Sequence, residues 1–221
     1  MNIKDEEQTL DILRTFDKCG FKGAILFDVP STQFVRVNLM MLRGLSQERG
    51  LPGIFISVDR PHQYMTHLLT MHKIKAEQLV YLDAISRFSA DFKVASANVS
   101  YIDGPFRIDH LPMAMSEWMK NCDGKAFSAN NCSYAIIDNL STLLTYNSFN
   151  SVETFLQNFL KTLNSSENMI IPIMIDSEKS GLLYETARSL CKVEIHMKDI
   201  SSDQLPDTGP KMILGIDCTK G

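Results

Sequence analysis

A chain of 221 residues that is 44% hydrophobic and 22% charged is long enough for one substantial α/β core and too apolar for general disorder. Its net charge of −4 offers no general attraction to nucleic acid or to an anionic membrane surface. Cys19, Cys122, Cys132, Cys191 and Cys218 are widely spaced without a CxxC pair, which excludes a zinc knuckle or a paired redox motif.

In chain order, residues 5–18, DEEQTLDILRTFDK, set Leu10, Ile12, Leu13 and Phe16 among charges, as a short amphipathic helix does. Cys19 and Gly20 end it, and AILF, residues 24–27, is apolar on both faces, as in a buried parallel strand. After a turn, Val35, Leu39 and Leu42 follow helical spacing, and Phe34, Val37, Met41 and Leu45 widen the apolar face. The unit then repeats. IFISV follows Gly53 as a second strand, PHQYMTHLLTMHK is helical, and VYLDAI, residues 80–85, is a third strand. Residues 86–112 fit irregular or weak β structure, and PMAMSEWMK, residues 112–120, is a short helix.

YAIID, residues 134–138, is the next buried strand, followed by the helical SVETFLQNFLKTL. MIIPIMI, residues 169–175, has strand composition, but Pro172 lacks a ladder donor, which predicts a bulge or a shifted start. GLLYETARSL is a helix, KVEIHM alternates like a half-exposed strand, and KMILGI is a final strand. This alternation predicts an α/β fold with a mostly parallel sheet and helices on both faces. No linker rich in Pro, Gly or Ser interrupts residues 1–221, so one domain is expected. No apolar run reaches the roughly 20 residues of a spanning helix, and the start does not resemble a secretory leader, so reduced thiols in cytoplasm are expected.

Four segments, AILFDVPSTQFVRVNLMMLRGL, GIFISVDRPHQ, VYLDAI and YAIIDNLSTLL, resemble in order and spacing the RecA/KaiC-like, RadA-related branch of the P-loop NTPases, which includes archaeal ATPases. The resemblance spans roughly residues 10–218. It implies a RecA-like fold with an ATP loop between the first strand and its helix. A working loop, G-x-x-x-x-G-K-[ST], wraps phosphates with backbone N–H groups, neutralises them with lysine and holds magnesium through the hydroxyl. Laid on that pattern, Asp28 stands at the first glycine, Gln33 at the second, Phe34 at the lysine and Val35 at the hydroxyl. Every diagnostic position is changed. In this branch the second strand often ends in paired glutamates, where this chain has Asp59 and Arg60, read as a turn that caps the helix after Pro61. Asp138 stands at the Walker B position, either to hold magnesium through water or as a turn carboxylate accepting backbone N–H bonds.

His62, His67 and His72 step by five residues, roughly 140° around a helix, so they do not converge on one metal ion. No G-x-S-x-G elbow is present, and no cofactor is indicated. Met115, Trp118 and Met119 share one side of a short helix and are the interface candidates, with the polar loop ISSDQLPDTGP as a further contact. The resulting expectation is an ATPase-dead domain that regulates or scaffolds by association with itself or with a paralogous RecA-like ATPase. The alternative is a non-standard nucleotide- or anion-binding switch, or a residual ATPase, using Ser31 and Thr32 at the helix start.

Overall fold

Apolar runs bounded by glycine and polar turns form the strands, and the 3.6-residue patterns between them form the helices. A computed structural model describes residues 3–86 except 19 and 21, 98–111 except 103, 107, 109 and 110, and then 132–164, 169–197 and 216–217. The strands are β1 (Gly23–Asp28), β2 (Gly53–Ser57), β3 (Leu79–Asp83), β4 (Val99–Tyr101), β5 (Tyr134–Ile137), β6 (Ile170–Ile175), β7 (Val193–His196) and β8 (Ile216–Asp217). The helices are α1 (Ile3–Lys18), α2 (Phe34–Leu42), α3 (His62–Met71), α4 (Leu143–Tyr146), α5 (Phe149–Asn164) and α6 (Gly181–Leu190). A 3-10 turn, Ser31–Gln33, leads into α2, and a π-helical turn, Arg43–Glu48, continues it.

The strands lie in the order β4-β3-β2-β5-β6-β1-β7-β8. β1 to β7 pair in parallel, and β8 is antiparallel on β7. Both faces are covered. Ile25, Phe27, Phe55 and Ile136 pack with Phe16 of α1, Val37 and Met41 of α2 and Met65 of α3. Ala24, Leu26, Ile54 and Ile137 pack with Leu156 and Phe159 of α5 and Leu183 of α6. Adjacent residues of each strand serve opposite cores, which is why these strands are apolar throughout.

The bulge expected at Pro172 is absent. β6 keeps an unbroken register with β1, from Gly23 opposite Ile170 to Asp28 opposite Ile175. Met169 and Ile175 carbonyls accept from the β1 side, whereas the Ile170 N–H donates to Ser133 beside β5. By the alternation of a parallel ladder, Pro172 faces β5, so its missing donor leaves the β1 pairing intact. A Cβ on Gly53 would lie 2.0 Å from the Tyr134 ring, so this glycine lets the buried aromatic cross the neighbouring strand. Of the final strand expected from KMILGI, Ile216 alone lies within the described residues.

Candidate functional site at the carboxyl edge of the sheet

Parallel strands bring their carboxyl ends to one edge, where ligands of open α/β sheets bind. Asp28 ends β1, Asp83 ends β3, and Asp138 and Asp176 directly follow β5 and β6. Each is engaged by the chain itself.

The Asp28 carboxylate accepts the Ser177 N–H at 3.1 Å, the Ser177 hydroxyl at 2.9 Å and His196 Nδ1 at 3.1 Å. It is therefore tied to the turn after β6 and to β7. In the following turn, the Ser31 N–H donates to Asp176 Oδ2 at 2.7 Å, and the Lys179 ammonium donates to the Ser31 hydroxyl. Thr32 is exposed, and Gln33 Oε1 accepts from Arg36 at 3.3 Å. Phe34 is 5% exposed within the core, and Val35 is partly buried against the same core. A negative side chain thus occupies a backbone donor at the head of the helix that follows β1.

Asp138 ties three segments together. Its oxygens accept the N–H groups of Val58 at 2.9 Å, of Asp59 and Arg60 at 3.2 Å, and of Asn139 at 2.9 Å. Its own carbonyl accepts from Asn38 Nδ2 at 3.0 Å. Burial pushes the Asp138 carboxyl up to about 7, against the lowering pull of the backbone donors. Asp59 accepts from the Thr142 hydroxyl at 3.0 Å, and Arg60 lies 3.6 Å from it with its guanidinium 4.7 Å above the Tyr64 ring.

The cap of α3 differs from the sequence expectation. The His62 N–H meets Asp83 Oδ2 at 2.8 Å, so the capping carboxylate comes from β3 and not from Asp59. The same oxygen meets His62 Nδ1 at 2.5 Å and the Ser86 hydroxyl at 2.6 Å. Oδ1 accepts from the N–H groups of Ile85 and Ser86. The His62 ring is packed between Tyr81 and Tyr101 at 5.5 and 5.7 Å. His67 and His72 are exposed. Among the described residues no group of His, Cys, Asp and Glu is placed to hold a metal ion, and no helix is long and apolar enough to cross a membrane.

Among the described residues, clefts open at this edge. One, of about 40 Å³, lies between α2, the end of β2 and the end of β5, and is lined by Ser31, Phe34, Asn38, Asp59, Asp138 and Asn139 among others. The second, of about 420 Å³, is lined by Asp28, Pro30, Asp176, Ser177, Glu178, His196 and Met197. The sequence pointed to Asp28, Ser31, Phe34, Val35, Asp59 and Asp138, which line one cleft or the other, and to Thr32 and Gln33, which line neither. It missed Asp83, Asp176 and Asn38. Met115, Trp118, Met119 and residues 200–210 lie outside the described residues.

No family model matches the chain, and no curated protein is significantly similar to it. Solved structures are similar in fold. A KaiC-like protein, PH0186 from Pyrococcus horikoshii OT3, superposes with a TM-score of 0.54 at 11% identity, over 83% of this chain and 76% of its own. The fold is KaiC-like. A second structure, the uncharacterized protein PH0321 from Pyrococcus horikoshii in complex with an unknown peptide, gives a TM-score of 0.56 at 10% identity, over 80% of this chain and 78% of its own. This likeness places the carboxyl-edge carboxylates on a RecA/KaiC-like frame, with β1 and β5 separated by β6.

Proposed function

We propose that this RecA/KaiC-like domain does not hydrolyse ATP and works as a regulatory or scaffolding protein, by association with itself or with a paralogous ATPase. One observation carries the reading. The Ser31 N–H, at the start of the turn where an ATP loop would cradle phosphate, is held by the chain's own Asp176 carboxylate. A phosphate there would meet Asp176 and would have to displace it, at a repulsive cost at short range. In this reading the loop is a degenerate Walker A motif, with Asp28, Gln33, Phe34 and Val35 at its diagnostic positions. Phe34 adds to the core in place of a lysine, and the adjoining cleft of about 40 Å³ holds little more than a water-sized group. Asp138 is then a brace between strands and Asp59 a turn residue. The peptide bound to PH0321 agrees with a polypeptide as the kind of partner.

Isothermal titration with Mg-ATP tests the proposal. No binding is expected up to millimolar nucleotide, and a micromolar Kd would overturn it. Phe34→Lys alone is expected not to restore binding, because the turn still lacks the glycines that let backbone N–H groups converge. The anion-switch reading draws on the same contact, since an N–H that holds one carboxylate holds another anion once Asp176 swings away. Binding of inorganic phosphate in the same titration, without ATP binding, would favour it.

A further inference from the structure

The flank of α3 that meets α2 is apolar and open. Tyr64 shares a cleft with Val35 of α2. Leu68 and Met71 follow Tyr64 at four and seven residues, which puts all three on one side of the helix. Tyr64 is 38% exposed and Met71 62%, whereas Leu68 rests half-buried on the core. At about 1.5 Å per residue the stripe is roughly 10 Å long. Gln47 Oε1, in the turn after α2, accepts the Lys75 N–H at 3.1 Å and closes the foot of the groove.

Cations stand at both ends of this stripe. Residues 60–75 contain Arg60, Lys73 and Lys75 and neither Asp nor Glu, in a chain of net charge −4. At the head, the Arg60 guanidinium lies 4.7 Å above the Tyr64 ring and 3.6 Å from Asp59. At the foot, Lys73 and Lys75 are exposed and have no ion-pair partner among the described residues, with Glu77 exposed just beyond them. Lys73 is also strained, at a φ of 55°. Its N–H donates to the Thr70 carbonyl at 3.1 Å and the Ile74 N–H to the Leu69 carbonyl at 2.9 Å, a helix end whose left-handed position favours Gly or Asn. A lysine there costs stability and fixes a cation at the end of the stripe.

An apolar groove with cations at both ends suits an acidic polypeptide that brings apolar side chains. The sequence contains such a segment. DISSDQLPDTG, residues 199–209, has Asp199, Asp203 and Asp207 with Ile200 and Leu205, and neither Lys nor Arg. β7 ends at His196 before it and β8 begins at Ile216 after it. β7 lies four strands from β2, roughly 19 Å at about 4.8 Å per strand, so segment and groove belong to opposite flanks of the sheet. A contact between copies through two different flanks is head-to-tail, as in rings and filaments. We propose that the groove between α2 and α3 binds residues 199–209 of a second copy of this chain. The proposal rests on the association put forward above and names its surface.

Sedimentation velocity of the full chain tests it with two charge reversals, and circular dichroism controls for folding. Lys73→Glu with Lys75→Glu, and separately Asp203→Lys with Asp207→Lys, are each expected to weaken self-association about tenfold. An equimolar mixture of the two is expected to restore it, because every groove then meets a segment of opposite charge. Lys73→Gly relieves the backbone and is expected to raise Tm while weakening association about threefold, which keeps the test decisive if a reversal does not fold. A synthetic peptide of residues 198–210 is expected to dissociate the oligomer, and the same peptide with Asp199→Asn, Asp203→Asn and Asp207→Asn is not. Wild-type oligomers that survive in both reversals, or a mixture that restores nothing, would overturn this surface and leave the association itself standing. A wild-type chain that is monomeric at every concentration would overturn the surface and self-association together.

Discussion

Asp83 is the side chain whose chemistry most clearly exceeds its local sequence. Burial pushes its carboxyl up, but hydrogen bonds from His62 and Ser86, side chain and backbone alike, outweigh burial and hold it at about 2. The sign follows from linkage. A carboxyl lowered in the folded state contributes stability above its ordinary value near 4, and that stability is lost as pH falls through 2. Roughly 2 kcal/mol is expected to disappear over this window, seen as falling urea midpoints in wild type and a flatter pH profile in Asp83→Asn. Parallel profiles would remove Asp83 from the account. Phe34→Ala is expected to cost roughly 3–5 kcal/mol, as for other buried aromatics, and a loss under about 1 kcal/mol would return the ring to the cleft as a ligand contact. Asp138 was legible because an acid directly after an apolar run marks a strand end. Asp176 on Ser31 was not, because 145 residues separate the partners and no local pattern records such a pair.

The elements themselves were largely legible, because each strand is buried on both faces and each helix carries a stripe. α1, β1, β2, β3, β5, α5 and α6 lie where those patterns predict. Pro172 misled, because a proline weakens only the ladder its nitrogen faces, and sequence does not say which neighbour that is. The π-helical turn after α2 likewise has no mark in the apolar periodicity. Asp138 acts at this scale as a brace between the ends of β2 and β5. Asp138→Ala would leave the N–H groups of Val58, Asp59 and Arg60 without their acceptor, and a loss of roughly 2–4 kcal/mol is expected in urea unfolding. Unchanged stability would instead fit a carboxylate kept for an ion.

Strand order belongs to the whole molecule and was not legible from periodicity, since β1 lies between β6 and β7, more than 140 residues away in sequence. If the proposed scaffolding role holds, apolar surface is kept where another chain covers it, and large side chains at the centre of such a surface carry most of its energy. Trp118 is the only tryptophan in the sequence, with Met115 three residues before it and Met119 four residues after Met115. Trp118→Ala combined with Met115→Ser is expected to weaken association without unfolding the chain. Sedimentation velocity over a range of concentrations measures the first, and circular dichroism controls for the second. A wild-type chain that stays monomeric throughout would exclude self-association and leave a different protein as the partner. Unchanged association in the double variant would remove residues 112–120 from the interface. Loss of the folded signal would show that Trp118 serves the core, and that the contact surface must be sought elsewhere.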